Sequence, residues 1–478
     1  DKGHRYSSGW RVGEKTPMAI LTESRFIPYE FISAAASERR RLLAHPENIF
    51  RLNPCTKGDS PVAKHGIVIL AQFSDVGFTF GKQDFMDLLN QEGYSRNGAE
   101  GSAKEYFDDQ FAGKVDFRFE VSEIITLPGT RAEYGANLPD GMDKGPARMI
   151  VEACQAADDK IDFSLYDDDN DGEIDNVFIF FAGGDEAEGA GEDCIWSHSW
   201  YILEGAEINV QLDGKQLDRY ACCSELKMTD GIGYRDKTIT GIGTFCHEYS
   251  HTLGLADLYD TDYEGSGGES AGVWISTSLM DGGNHNNFGN TPPYYNAIER
   301  EMLGICEPIR ITSDGSYSLG PLDKTNTVYR IDTDHEDEYY LLECRSGKGW
   351  DAYIGGKGML VYHIDRSDRS SGYSENYGRV LKAYERWEAA NEVNCRPDHQ
   401  CADLLEADGR NDIFSHDIPA DISGVFFPQY GATAIIPDST PGFRFWSGAT
   451  CRVTVSEIRW EDGVIKFNIS GLSEDTVP

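Results

Sequence analysis

Hydrophobic and polar positions along this chain follow two regimes. Up to about residue 306, continuous apolar runs alternate with windows in which apolar residues recur every three or four positions. The runs "HGIVILAQF" and "NVFIFFAGG" have the length of buried strands, and "KVDFRFEVSEIITL" also reads as a strand. "KQDFMDLLNQEG", "GSAKEYFDDQFAG" and "GPARMIVEACQAADDKI" carry the helical period. This pattern predicts a mixed α/β domain over residues 63–306. Past "MLGICEP" the pattern shifts to short strands: "GSYSLG", "TVYRIDT", "EYYLLECR", "GMLVYHID", "ATAIIP", "CRVTVSEI" and "GVIKFNIS". Turn residues separate them, which predicts a β-sandwich over 307–478 and an α+β chain as a whole. Ahead of both, residues 1–62 combine a strand-like "PMAILTESRFIP", a helical "AAASERRRLLAH" and the link "NPCTKGDSP", the make-up of an appendage or pro-segment.

Composition narrows the function. The 478 residues include 81 acidic and 43 basic side chains, a formal net charge of −38. Such a charge repels nucleic acid and anionic membranes and favours cation binding. No apolar run approaches the ~20 residues of a membrane span. The first residue is Asp1 and not methionine, which fits a signal peptide removed by the cell and equally a start chosen by design. The 11 cysteines are odd in number and scattered, so they outline neither a disulfide framework nor a CxxC metal site. Cys395 and Cys401 could close a small loop or stay as buried thiols. Cys246 lacks the spatial triad that a thiol nucleophile needs.

The candidate chemistry concentrates in "TFCHEYSHTLGLADLYD", residues 244–260. At ~3.6 residues per helical turn, His247 and His251 stand one above the other, so two imidazoles can reach one ion. Glu248 lies slightly to one side, where a carboxylate addresses water instead of the metal. Gly254 would let the chain leave the helix through a left-handed conformation and bring Asp257 back as a third ligand. The order matches the metzincin pattern HExxHxxGxxH/D and points to zinc. Asp260 and Glu299 compete for the third position.

A second metal signal is "YDDDNDGEIDNV". Asp167, Asp169, Asp171, Glu173 and Asp175 occupy ligand positions of an EF-hand-type calcium loop, with Gly172 at its sharp turn. Position twelve is Phe178 in place of glutamate, so a structural calcium ion here would need outside ligands, for example from "GGDEAEGAGED".

Taken together, "GIVILAQFSDVGF", "YDDDNDGEIDNVFIFFAGG", "IWSHSW", "GIGTFCHEYSHTLGLADLYD", "SLMDGG", "TPPYYNAIEREMLG" and "EYYLLECRSGKGWDAYIGGKGMLVYHID" resemble the immune inhibitor A-type secreted metallopeptidases, especially the forms of Bacteroidetes-like bacteria. The likeness runs over about residues 65–470. It implies a zincin/metzincin-like domain with a mixed sheet and an active-site helix, acting as a zinc endopeptidase on protein or peptide substrates. His247, His251 and Asp257 would be the ligands and Glu248 the general base. Met280 resembles the methionine turn beneath the metal in metzincins. His198 would be a cleft wall or a hydrogen-bonded structural residue, and His363 a structural one. Tyr294 and Tyr295 are candidates for a hydroxyl near the oxyanion or for packing. The same metal chemistry would also serve a zinc amidase on peptidoglycan or a glycopeptide, or merely stiffen a binding protein; the retained Glu248 argues against the last, because a purely structural zinc uses a fourth protein ligand. An N-terminal segment that covers the cleft would make the enzyme latent, with Cys55 as a possible thiolate toward zinc.

Overall fold

A computed structural model describes residues 62–472 except 140–141, 169, 207, 228–236, 263–264, 274, 410–421, 438 and 450. The N-terminal appendage and Cys55 lie outside the described residues. Two compact units are present: one runs up to Leu255 and includes Asn284–Pro292, the other combines Ala256–Gly283 with Pro293–Pro478. These units cut the chain differently from 63–306 and 307–478, because residues 256–283 and 293–306 group with the second.

The first unit is built on strands β1 (Val62–Gln72), β2 (Val115–Thr126), β3 (Val177–Phe181), β4 (His198–Tyr201) and β5 (Arg219–Ser224). They lie in the order β2-β1-β3-β5-β4; the first four are parallel and β4 runs antiparallel at the edge. Helices cover both faces, which explains the unbroken apolar runs. Ile67, Ile69, Val177 and Ile179 share a core with Met149, Ile150 and Ala153 of helix α3 (Pro146–Ala157), whose Pro146 opens its first turn. Residues of the opposite parity face the other way. There Phe180 packs on Phe85 of α1 (Lys82–Asn90) at 4.8 Å, and Phe117 on Phe107 of α2 (Ala103–Gln110) at 4.8 Å. Helix α2 starts with a reciprocal cap: Ser102 N–H donates to Glu105 Oε2 (2.9 Å) and Glu105 N–H to Ser102 Oγ (3.3 Å).

The second unit contains β6 (Ile309–Arg310), β7 (Gly315–Leu319), β8 (Tyr329–Asp332), β9 (Glu338–Arg345), β10 (Gly358–Asp365), β11 (Ala402–Leu404), β12 (Thr454–Glu461) and β13 (Val464–Ser470). One sheet has the order β6-β8-β9-β10-β11 and another β7-β13-β12. Ile331, Tyr340, Leu342 and Val361 of the first share a core with Leu319, Val455, Ile465 and Phe467 of the second. The mixed α+β character expected from the sequence is present. The "ATAIIP" stretch is not a strand: only Ile435 pairs, in a single bridge to Val455.

Candidate metal centre

Helix α4 (Ile242–Thr252) carries the HExxH residues. It has no side-chain N-cap, and its entry is set by close packing instead. A Cβ on Gly243 would stand 1.8 Å from Asn284 O, and one on Gly241 2.2 Å from Gly289 O. Only glycine allows that approach. Phe245 and Tyr249, one turn apart, fix the helix to the sheet: Phe245 lies 4.6 Å from Phe178 and 5.0 Å from Phe119, and Tyr249 5.3 Å from Phe119. His247 and His251 follow each by two positions, a rotation of about 200°, so anchoring the aromatic face turns both imidazoles away from the sheet.

On that opposite face the rings of His247 and His251 are 4.9 Å apart at 89°. Ligand atoms of His247, Glu248 and His251 all lie within 4.8 Å of one another. His247 and Glu248 are buried, at 2% and 3% exposure. Cys246 is buried in the same helix, and burial pushes its thiol well above the usual range, which leaves no reactive thiolate.

The helix C-terminus orients the second histidine. Gly254 has φ +102°, Gly254 N–H donates to His251 O (3.0 Å), and Leu255 N–H donates to Ser250 O (3.2 Å). Those are the two bonds of a Schellman cap, and they wrap the chain so that Leu255 O meets His251 Nδ1 at 2.9 Å. A carbonyl only accepts, so Nδ1 carries the proton and Nε2 keeps its lone pair for a metal. The donor set therefore fits zinc: imidazole nitrogens and a carboxylate converge, and one ring has its tautomer set by a backbone partner.

The remaining sequence-derived residues fall as follows. Asp257, in the second unit, is 5% exposed and gripped by Asn391: its N–H donates to Asn391 Oδ1 (2.9 Å), and Asn391 Nδ2 donates to Asp257 Oδ2 (2.7 Å). Nothing in the sequence marked Asn391. Glu299 is not disposed as a ligand. Its Oε1 accepts from Ser278 Oγ (2.6 Å) and Met280 N–H (2.9 Å), and its Oε2 from Asn296 N–H (2.7 Å) at the start of helix α5 (Ala297–Met302). Met280 is fully buried, and its carbonyl accepts from Leu258 N–H at 2.8 Å. Asp260 accepts from Ser270 N–H (2.9 Å) and Asp262 N–H (3.2 Å). Tyr294 and Tyr295 are buried, and their carbonyls accept from Arg345 Nη2 (3.1 Å) and Arg300 Nε (2.9 Å).

His198 on β4 is bonded on both ring nitrogens, Nδ1 to Trp196 O (2.7 Å) and Nε2 to the Tyr220 hydroxyl (2.8 Å). Burial lowers its pKa and keeps it neutral. His363 pairs with Glu338 at 3.0 Å and stacks on Tyr340. Cys395 and Cys401 are buried free thiols, not a disulfide.

In the acidic loop, Asp167 accepts from the N–H groups of Asp171 (3.1 Å) and Gly172 (3.2 Å), and Asp171 from Glu173 N–H (2.8 Å). Lysines meet two of the acids: Lys215 pairs with Asp167, and Lys64 with Asp175 at 2.9 Å. Burial would raise the Asp167 carboxyl, but Lys215 and the loop N–H groups outweigh it and hold it below the usual range. Asp169 lies outside the described residues.

Comparison with known proteins agrees with this geometry. Residues 74–304 match the catalytic domain of immune inhibitor A peptidase M6. Immune inhibitor A of Bacillus thuringiensis subsp. alesti is 34% identical over 229 residues, 42% of this chain and 31% of that protein. The pre-pro-metalloprotease PrtV of Vibrio cholerae serotype O1 (strain M66-2) is 30% identical over 238 residues, 44% of this chain and 24% of that protein. The matched stretch thus spans less than a third of either relative. His247, Glu248 and His251 cluster inside the matched segment, and the family match together with the two relatives supports a metallopeptidase similar to immune inhibitor A over residues 74–304.

Proposed function

We propose that this protein is a secreted or cell-surface zinc endopeptidase that hydrolyses peptide bonds in proteins. The observation that carries the reading is the convergence of His247, Glu248 and His251, with His251 Nδ1 tied to Leu255 O so that Nε2 is the unprotonated ring nitrogen. His247 and His251 would hold the ion, with Asp257 as third ligand on the strength of its spacing in the sequence. When bound, zinc supplies Lewis acidity toward the scissile carbonyl and a water acidified to a pKa of roughly 7. Glu248 would take a proton from the attacking water and pass it to the leaving amine nitrogen. Burial keeps its carboxylate out of bulk solvent, where proton transfer would be lost to water. An extended substrate adds as a further strand beside β4, the edge of the sheet.

Two structural observations support the metzincin-like reading: a mixed sheet whose edge strand is antiparallel, and a buried Met280 in a turn tied to Glu299. The shared core of the two sheets in the second unit supports a β-sandwich there. A structural calcium ion at residues 167–175 is part of the same proposal, and it requires Lys215 to leave Asp167.

Glu248→Gln tests the mechanism. It keeps size and hydrogen bonding but cannot take a proton, so bound zinc should stay at the wild-type level while kcat on a protein substrate falls by about 10²–10⁴. Wild-type turnover in the zinc-loaded variant would refute the proposal.

A further inference from the structure

The second unit contains a group of acidic side chains that the peptidase chemistry does not use. Asp260 and Asp262 are 5% and 4% exposed, and Cys395 is fully buried. One ligand atom of each lies within 4.8 Å of the others. Neither carboxylate oxygen of Asp262 has a donor in hydrogen-bond geometry, although both are shielded from solvent. The Ser266 hydroxyl, the Cys395 thiol and Arg386 act on it from nearby and oppose the rise that burial imposes on its pKa. The Ser270 hydroxyl is also buried without a partner, while its N–H donates to Asp260 Oδ2 (2.9 Å).

Charge is unbalanced here. Glu392 is the third buried acid of the group, and its Oε2 accepts from Arg386 Nη1 at 3.0 Å. The rest of the Arg386 guanidinium is committed to Ser371 Oγ (2.7 Å) and Gly372 O (3.1 Å). Arg396 is held by Asp398 and Ser266 O. Two buried carboxylates a few ångströms apart therefore face each other, and among the described residues one committed guanidinium stands between three acids. They must share a proton or bind a cation.

We propose that Asp260 and Asp262 form a structural calcium site distinct from the acidic loop at residues 167–175. The backbone is folded for it. Asp262 N–H turns onto Asp260 Oδ1 (3.2 Å), and the chain passes so close beneath Asp262 that a Cβ on Gly265 would stand 2.9 Å from its Oδ2. Asp260, Asp262 and Gly265 repeat the first, third and sixth places taken by Asp167, Asp169 and Gly172 in the other loop. The donors are hard oxygens, as calcium requires, and the Ser266 hydroxyl acts on Asp262 beside them. The Cys395 thiol is a neighbour and not a ligand: burial and the charges of Asp260, Asp262 and Glu392 push it well above its usual range, so it stays protonated. Occupancy would brace the segment that carries Asp257, because Thr261 Oγ1 donates to the carbonyl of Asn391 (2.8 Å), the residue that grips Asp257.

The test uses the full chain, stripped with EGTA and reloaded with Ca²⁺ alone, and reads bound calcium per chain by native mass spectrometry alongside thermal unfolding. A protein with Asp169→Asn and Asp171→Asn, which disables the other loop, should still bind one Ca²⁺ and gain several degrees in Tm when it does. Asp262→Asn should bind one Ca²⁺ fewer than wild type, and Cys395→Ser the same number. The proposal is overturned if the Asp169→Asn/Asp171→Asn protein binds no Ca²⁺, or if Asp262→Asn leaves the count unchanged. It is equally overturned if the resident ion is a transition metal that Cys395→Ser abolishes. Should Asp262→Asn fail to fold, the Asp169→Asn/Asp171→Asn protein decides alone.

Discussion

Replacing Gly254 with alanine separates the two tasks of the helix terminus, ending α4 and aiming His251. With φ at +102°, residue 254 lies where a Cβ clashes with the neighbouring carbonyl, so alanine costs about 1–2 kcal/mol if the conformation is kept. Relaxing toward negative φ breaks the bonds from Gly254 N–H to His251 O (3.0 Å) and from Leu255 N–H to Ser250 O (3.2 Å), and it carries Leu255 O away from His251 Nδ1. His251 then loses the partner that sets its tautomer and ring angle. Loss of such an orienting bond typically weakens metal binding by about 10–100-fold, or about 1.4–2.7 kcal/mol. Two assays read the two effects: thermal unfolding of the metal-free variant, and zinc competition against a chromophoric chelator. Both should fall. Gly254→Asn, which tolerates a positive φ better, should recover part of the lost stability and most of the zinc affinity. A variant that unfolds earlier but binds zinc as tightly as wild type would refute the orienting role of Leu255.

Two further outcomes test the frame around the site. Arg345 is fully buried and bonded to Asp351 Oδ2 (2.8 Å), Glu343 Oε1 (3.1 Å), Thr277 O (3.0 Å) and Tyr294 O (3.1 Å), so Arg345→Met strands two buried carboxylates. Urea unfolding should show a loss of about 3–5 kcal/mol, and a loss below about 1 kcal/mol would mean the cation is dispensable. Burial, reinforced by the charge of Glu188, pushes Asp185 up from 3.8 to about 7. Between those values the folded state holds more protons than the unfolded state, so stability is fully present below pH 4 and is lost as pH rises toward 7, by at most about 4 kcal/mol. Asp185→Asn should lack that slope, so the difference between the wild-type and variant stability–pH curves should change between pH 4 and 7; parallel curves would contradict the buried-carboxyl account.

The difference between what the sequence revealed and what it concealed follows from how far each contact reaches along the chain. Within α4, spacing is distance. Four residues place His251 over His247, two place Phe245 on the opposite side, and Gly254 closes a cap three residues later, so the surface that carries both imidazoles could be read from one short stretch. The unbroken runs of β1 and β3 were equally plain, because a strand covered on both faces leaves no polar position to interrupt it. Glu299 shows where that logic ends. A carboxylate two dozen positions or more beyond a metal helix looks the same whether it meets an ion or a row of N–H donors, and here it meets Ser278, Met280 and Asn296. The lysines on Asp167 and Asp175 are of the same kind, since Lys215 and Lys64 arrive from 48 and 111 residues away. Asn391 reaches Asp257 across 134 residues, and no periodicity spans that interval. A residue outside the helix is thus the least legible part of such a motif: positions along one helix are encoded locally, whereas the loop that carries Asp257 has its course decided by a side chain from far along the chain.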